Sequence, residues 1–142
     1  MKEVQICFRC GSMDWSICSD DYVARYHVRK NGSITFTEEL GSMEFYCSRC
    51  GSTALVGVEG TTSIIKRLVN LRPMQRILEV LEYIVDGTLK VADGGFGPDE
   101  AIEYIEYFVE NYMKNRKCSK KTIEDFVSRA KEIIGKWKLL VG

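Results

Sequence analysis

Cys7-Phe8-Arg9-Cys10-Gly11-Ser12 and Cys47-Ser48-Arg49-Cys50-Gly51-Ser52 are nearly the same six letters written twice, and their reading decides the fold. A cysteine pair with two residues between its members reaches one ion from a tight turn. Two such pairs complete a tetrahedron of thiolates with no position left for water or substrate. One structural Zn2+ held by Cys7, Cys10, Cys47 and Cys50 is therefore expected, and its closure argues against catalytic zinc. Gly11 and Gly51 stand where the chain must turn back, often with φ > 0, so that backbone N–H groups can reach the sulfurs.

Other uses of six cysteines weigh less. Met1 to Ile6 is short, carries Lys2 and Glu3 and runs straight into the first knuckle, so a secretory leader with disulfides is not expected. A thioredoxin-like redox pair uses one such motif between a strand and a helix; here there are two, neither followed by helical periodicity. Iron and iron–sulfur centres also take four thiolates, and the sequence leaves them open. Cys18 has no partner at matching spacing and reads as a buried thiol. Cys118 lies among lysines, a setting that can raise thiol reactivity, although catalysis there is not expected.

The doubled knuckle resembles the zinc-ribbon superfamily, over roughly residues 1–60. The resemblance implies a small antiparallel sheet clamped by two knuckles, and it is specific for the metal rather than for any one activity. Certain transcript-cleavage ribbons that look like this module use an adjacent Asp-Glu pair at a hairpin tip. This chain offers only Glu38-Glu39 and Asp20-Asp21, which puts that activity in doubt.

Between Cys10 and Cys47 lie 36 residues, more than a minimal ribbon needs. Val23 to Lys30 and Ser33 to Thr37 flank Asn31-Gly32, a two-residue turn signal that predicts a protruding β-hairpin. Strands are expected on either side of each knuckle, at Val4 to Ile6, Trp15 to Ile17, Glu44 to Tyr46 and Ala54 to Val58. A sheet this small buries too little surface to fold alone, so the metal would supply much of its folding free energy.

After Gly60 the hydrophobic period changes from two to 3.6. Thr61, Thr62 and Ser63 offer caps for a short helix carrying Ile64, Ile65, Leu68 and Val69. Pro73 opens a second helix with Met74, Ile77, Leu78, Leu81, Ile84 and Val85 on one face, stopped at Gly87. The stretch Thr88 to Gly97 reads as a mobile or functionally shaped loop. Pro98 opens a third helix whose stripe runs Ala101, Ile102, Ile105, Phe108, Val109, Tyr112 and Met113. Ser119 caps a fourth, burying Ile123, Phe126, Val127, Ala130, Ile133, Ile134, Trp137 and Leu140, with Gly135 weakening its end. The expected class is α+β: a zinc-ribbon β domain over residues 1–60, then a helical bundle of three to four helices over residues 61–142.

The formal net charge is zero, so nucleic acid would have to be held by a local patch. Charge is nonetheless segregated. Glu79 to Glu110 contains nine acids and one base, Lys90, and these acids read as solvated outer faces. Lys114, Arg116, Lys117, Lys120 and Lys121 crowd the turn before the fourth helix, whose N-terminus favours phosphate. Arg25, His27, Arg29 and Lys30 sit among tyrosines on the hairpin, a mixture suited to phosphates and stacked bases. An ordinary solvated turn and a half-buried hairpin would look the same.

Enzyme chemistry finds little footing. Gly94-Gly95-Phe96-Gly97 follows no clear strand and has no lysine after it, and the single histidine limits acid–base options. No stretch is apolar for long enough to span a membrane, and no small-molecule substrate suggests itself. The expectation is a cytoplasmic, non-enzymatic accessory protein that contacts DNA or RNA, or a larger protein complex that processes them. The alternative is a protein–protein adaptor or self-associating module. Few Gln and Asn beside many Lys, Glu and Ile lean towards a thermophilic source.

Overall fold

The computed structural model describes residues 2–18, 23–28, 34–40, 44–92, 94–113, 115 and 118–141; for 17–18, 23–28, 34–40 and 44 the backbone alone is described. The class is mixed α+β, with small antiparallel sheets and helices. Strand β1 (Lys2–Cys7) leads into the first knuckle and β2 (Trp15–Cys18) leaves it; β5 (Glu44–Cys47) leads into the second and β6 (Leu55–Gly60) leaves it. Between them lie β3 (Val23–Val28) and β4 (Ile34–Leu40).

Pairing crosses over between the knuckles. β1 pairs antiparallel with β6, placing Cys7 opposite Leu55, and β2 pairs antiparallel with β5, placing Trp15 opposite Cys47. A shift of 40 residues carries one pairing onto the other, so a local two-fold relates the knuckles. The cross-knuckle backbone bonds obey the same rule: Phe8 N–H to the Ala54 carbonyl at 2.9 Å, and Ser48 N–H to the Asp14 carbonyl at 3.0 Å.

The symmetry breaks where the knuckles meet the helices. Phe8 is fully buried, while its counterpart Ser48 is exposed. One core takes Ile6, Phe8, Val56 and Val58 from the β half together with residues of every helix. The helices are α1 (Thr62–Asn70), α2 (Pro73–Asp86), α3 (Pro98–Phe108) and α4 (Lys120–Val141). Their signals worked as expected: Thr61 Oγ1 accepts from Ile64 N–H, Pro73 and Pro98 stand at the first positions of α2 and α3, and Gly87 stops α2 at φ 83°. Ser119 Oγ accepts from Thr122 N–H, and Glu100 reaches back to Gly97 N–H at 2.9 Å.

Several expectations are corrected. The stretch after Gly87 is structural: Lys90–Val91 forms β7, paired with β6, and Leu89 and Phe96 are buried. Phe96 joins Phe8 (5.2 Å between ring centroids) and Trp137 (5.6 Å) in an aromatic cluster that ties the first knuckle to α4. The third helix is not α-helical throughout, since a π-turn spans Val109–Met113. Phe108 and Met113 are both fully buried, five positions apart, and only a wider turn brings such a pair onto one face. Leu140 is 69% exposed, not buried. α4 has 22 residues against 14 in α2 and 11 in α3, so its last turn outruns its partners.

The hairpin strands do pair, but Asn31-Gly32 lies outside the described residues. A two-residue turn there would set Val28 opposite Thr35; the observed partner is Ile34, and a bulge between Arg25 and Tyr26 restores Arg25 opposite Glu38.

Candidate metal centre

Each knuckle is shaped by the same three hydrogen bonds. Cys7 N–H donates to the Ser12 carbonyl and Cys47 N–H to that of Ser52, both at 2.8 Å. Gly11 N–H returns to the Cys7 carbonyl (2.7 Å) and Gly51 N–H to that of Cys47 (2.9 Å). Ser12 Oγ accepts from Asp14 N–H and Ser52 Oγ from Ala54 N–H, both at 3.0 Å. The glycines take φ of 78° and 76°, a left-handed conformation that makes each turn tight enough to aim both cysteines inward.

The four sulfurs converge, all within 4.8 Å of one another. Cys7 Sγ stands 3.6 Å from Cys50 Sγ and Cys10 Sγ 3.5 Å from Cys47 Sγ, two contacts that the local two-fold exchanges. A disulfide would need about 2.05 Å. A tetrahedron of thiolates with metal–sulfur bonds of about 2.3 Å has edges of about 3.8 Å, which the observed spacing fits. Cys7, Cys10, Cys47 and Cys50 can therefore hold a metal ion. Arg49 N–H points at Cys47 Sγ from 3.4 Å, a bond that favours the thiolate.

Protons and a cation compete for this cluster. Hydrogen bonding with Cys7 holds the Cys10 thiol down to about 5. The same bond, reinforced by burial, drives Cys7 far above the ordinary thiol value, and burial raises Cys50. Loading a cation removes this sharing and releases protons. Cys7 and Cys47 are fully buried, whereas Cys10 is partly buried and Cys50 exposed. The latter pair lines a groove of ≈ 820 Å³.

Arg76, missed in the sequence, supports the site from behind. Its buried guanidinium donates to the Gly11 carbonyl, to Leu68 (2.7 Å), Leu71 (2.8 Å) and Val69 (3.1 Å). Burial pulls its pKa down from the ordinary value, opposed by the nearby charges of Asp14 and Cys10. In the sequence it reads as one more base beside a helix break; only the packed carbonyls mark it as an anchor.

The candidate nucleic-acid residues are not gathered at this site by what is described. Arg25 and His27 fall two apart on β3 with their side chains undescribed, and Arg29, Lys30, Lys114, Arg116 and Lys117 lie outside the described residues. Lys120 and Lys121 are exposed on α4, Lys120 at 4.0 Å from Glu124. Arg129 pairs with Glu82 on α2. Cys118 is half-buried against the core, and Cys18 ends β2 opposite Glu44. Glu79 is no solvated acid: it is 5% exposed and accepts from Arg67 (2.6 and 3.1 Å), Gln75 (3.0 Å) and Tyr83 (3.2 Å). Asp20-Asp21 lies outside the described residues, and Glu38-Glu39 falls within β4.

No helix among the described residues is long and apolar enough to cross a membrane. Comparison with protein-family models, with curated proteins and with solved structures gave no match to this chain.

Proposed function

We propose that the chain is a non-enzymatic zinc-ribbon accessory protein in which one structural Zn2+ clasps the two knuckles, and that it binds nucleic acid or a machine that processes it. The observation carrying this reading is the pair of symmetry-related knuckles converging four sulfurs. Four sulfur donors suit zinc or iron best among common metals, and a site filled by protein ligands keeps no position for a substrate. The nucleic-acid part rests on residue chemistry: arginines repeated in both knuckles and the lysine-rich stretch of sequence ahead of α4. The test is elemental analysis of the purified chain, with one zinc per chain expected, followed by binding to mixed DNA and RNA at rising salt. Absence of metal, or of binding even at low salt, would overturn the corresponding half.

One observation favours the adaptor reading. A mostly apolar groove of ≈ 240 Å³ runs between α3 and α4, lined by Ile102, Ile105, Val109, Val127 and Ile134 with Glu106, Glu110 and Lys131. A protein that co-purifies and survives nuclease treatment, or a stable oligomer, would support it.

A further inference from the structure

The ≈ 820 Å³ groove beside Cys10 and Cys50 has one wall made of both knuckles and another made of the π-turn and Asn115. Arg9 and Arg49, equivalent under the local two-fold, both line it. Arg9 donates to Asn111 Oδ1 at 2.7 Å, and Arg49 donates to Asp14 at 3.2 Å across an exposed ion pair. α2 begins here without an acid in its first turn or a side-chain cap, leaving the positive end of its dipole uncompensated. Asn115 sits in sequence among Lys114, Arg116 and Lys117.

We propose that this groove holds the phosphodiester backbone of a single-stranded nucleic acid, with Arg9 and Arg49 as its phosphate contacts. This rests on the nucleic-acid reading above and names the surface responsible. Guanidinium forks match phosphate oxygens two at a time, and amides such as Asn111 and Asn115 can add neutral donors. The volume lies in the range of small-ligand clefts, room for a short run of one strand and not for a duplex. Two guanidinium groups related by the local two-fold on one groove suit a ligand with repeated phosphates better than a single carboxylate. Arg76 commits four of its five N–H groups to carbonyls and so serves the knuckle more than the ligand. Asp14 is the one carboxylate in the lining, and with the Cys10 and Cys50 sulfurs it opposes binding.

The test is fluorescence anisotropy of the metal-loaded full chain with mixed-sequence single-stranded DNA and RNA, a matched duplex, and poly-glutamate as competitor. R9Q/R49Q should weaken single-strand binding by about tenfold or more, equivalent to losing about 1.4 kcal/mol. The slope of log affinity against log salt should flatten by about 1.4, from two contacts at about 0.7 each. D14N should tighten binding, which a merely structural role would not produce. R49Q alone, which among the described residues removes an exposed ion pair to Asp14, keeps the test readable if the double variant loses its metal. Wild-type affinity in R9Q/R49Q and D14N, with binding lost in K120E/K121E, would overturn the groove and leave the broader reading standing. No binding by the wild type at low salt would overturn both. Tighter binding of duplex, or equal competition by poly-glutamate at matched charge, would overturn the single-strand assignment.

Discussion

The guanidinium of Arg76, one turn into α2, donates to the main-chain carbonyl of Gly11, the turning glycine of the first knuckle. The same group holds three carbonyls at the C-terminal end of α1, where a helix leaves acceptors without partners. One buried side chain thus fastens the metal turn to the helical half. Arg76→Met should destabilise the metal-loaded protein by about 3 kcal/mol or more, because the carbonyls stay buried when their donor is removed. Arg76→Lys should recover little, since an ammonium is a point and not a fork. Urea denaturation checks both, and an R76K variant as stable as wild type would refute the assignment.

Gly11 and Gly51 share a left-handed φ but not an environment. A Cβ on Gly11 would meet Pro73 Cβ at 2.5 Å and its Cα at 2.9 Å, while one on Gly51 meets nothing within 4 Å. Both alanine variants incur backbone strain of about 1–2 kcal/mol. Gly11→Ala must also push α2 away from the knuckle, adding about 1–3 kcal/mol. Thermal melts of the two variants should therefore differ, and equal Tm values would contradict the asymmetry of the knuckles.

Metal removal should be felt beyond the sheet. Phe8 lies between two ligands and packs on Phe96, which packs on Trp137. Structural zinc contributes on the order of 10 kcal/mol in small domains. Stripping the ion with a chelator, or Cys47→Ser, should red-shift Trp137 emission in a Trp15→Phe background, where Trp137 is the one remaining tryptophan. Unchanged emission after complete removal would mean that knuckle and bundle are independent.

Burial pushes Glu79 up, but hydrogen bonds from Arg67, Gln75 and Tyr83 outweigh it and the carboxyl lies below its usual 4.5. A depressed folded-state pKa contributes stability above the unfolded value and loses it as pH falls through the folded one. Glu79→Gln should cost about 1–3 kcal/mol at neutral pH. The gap in stability between wild type and variant should close below about pH 4.5. A gap that stays constant down to pH 3 would show that ionisation of Glu79 is not what matters.

The helices were legible because their signals are local. Thr61, Pro73, Gly87, Pro98 and Ser119 each act through the backbone within a turn of themselves, and each stands at or beside the end it predicts. The π-turn was not legible: Phe108, Val109, Tyr112 and Met113 satisfy helical spacing on paper, and only burial of both Phe108 and Met113 selects the wider turn. The stretch after Gly87 misled for a similar reason, since two residues of β7 acquire meaning only beside β6.

By itself the sequence marked the four cysteines that converge, because two thiol pairs at this spacing, each followed by a glycine, suit a shared metal ion. It also determined where the helices start and where α2 stops. Tertiary structure decided what lies between the knuckles and behind them: the crossed strand pairing, the burial of Phe8 but not Ser48, the capture of the Gly11 carbonyl by Arg76, and the groove that gathers Arg9 and Arg49. Those are relations between residues from 26 to about 100 positions apart. No local preference encodes them; they arise only when the core closes and buried carbonyls and charges must find partners.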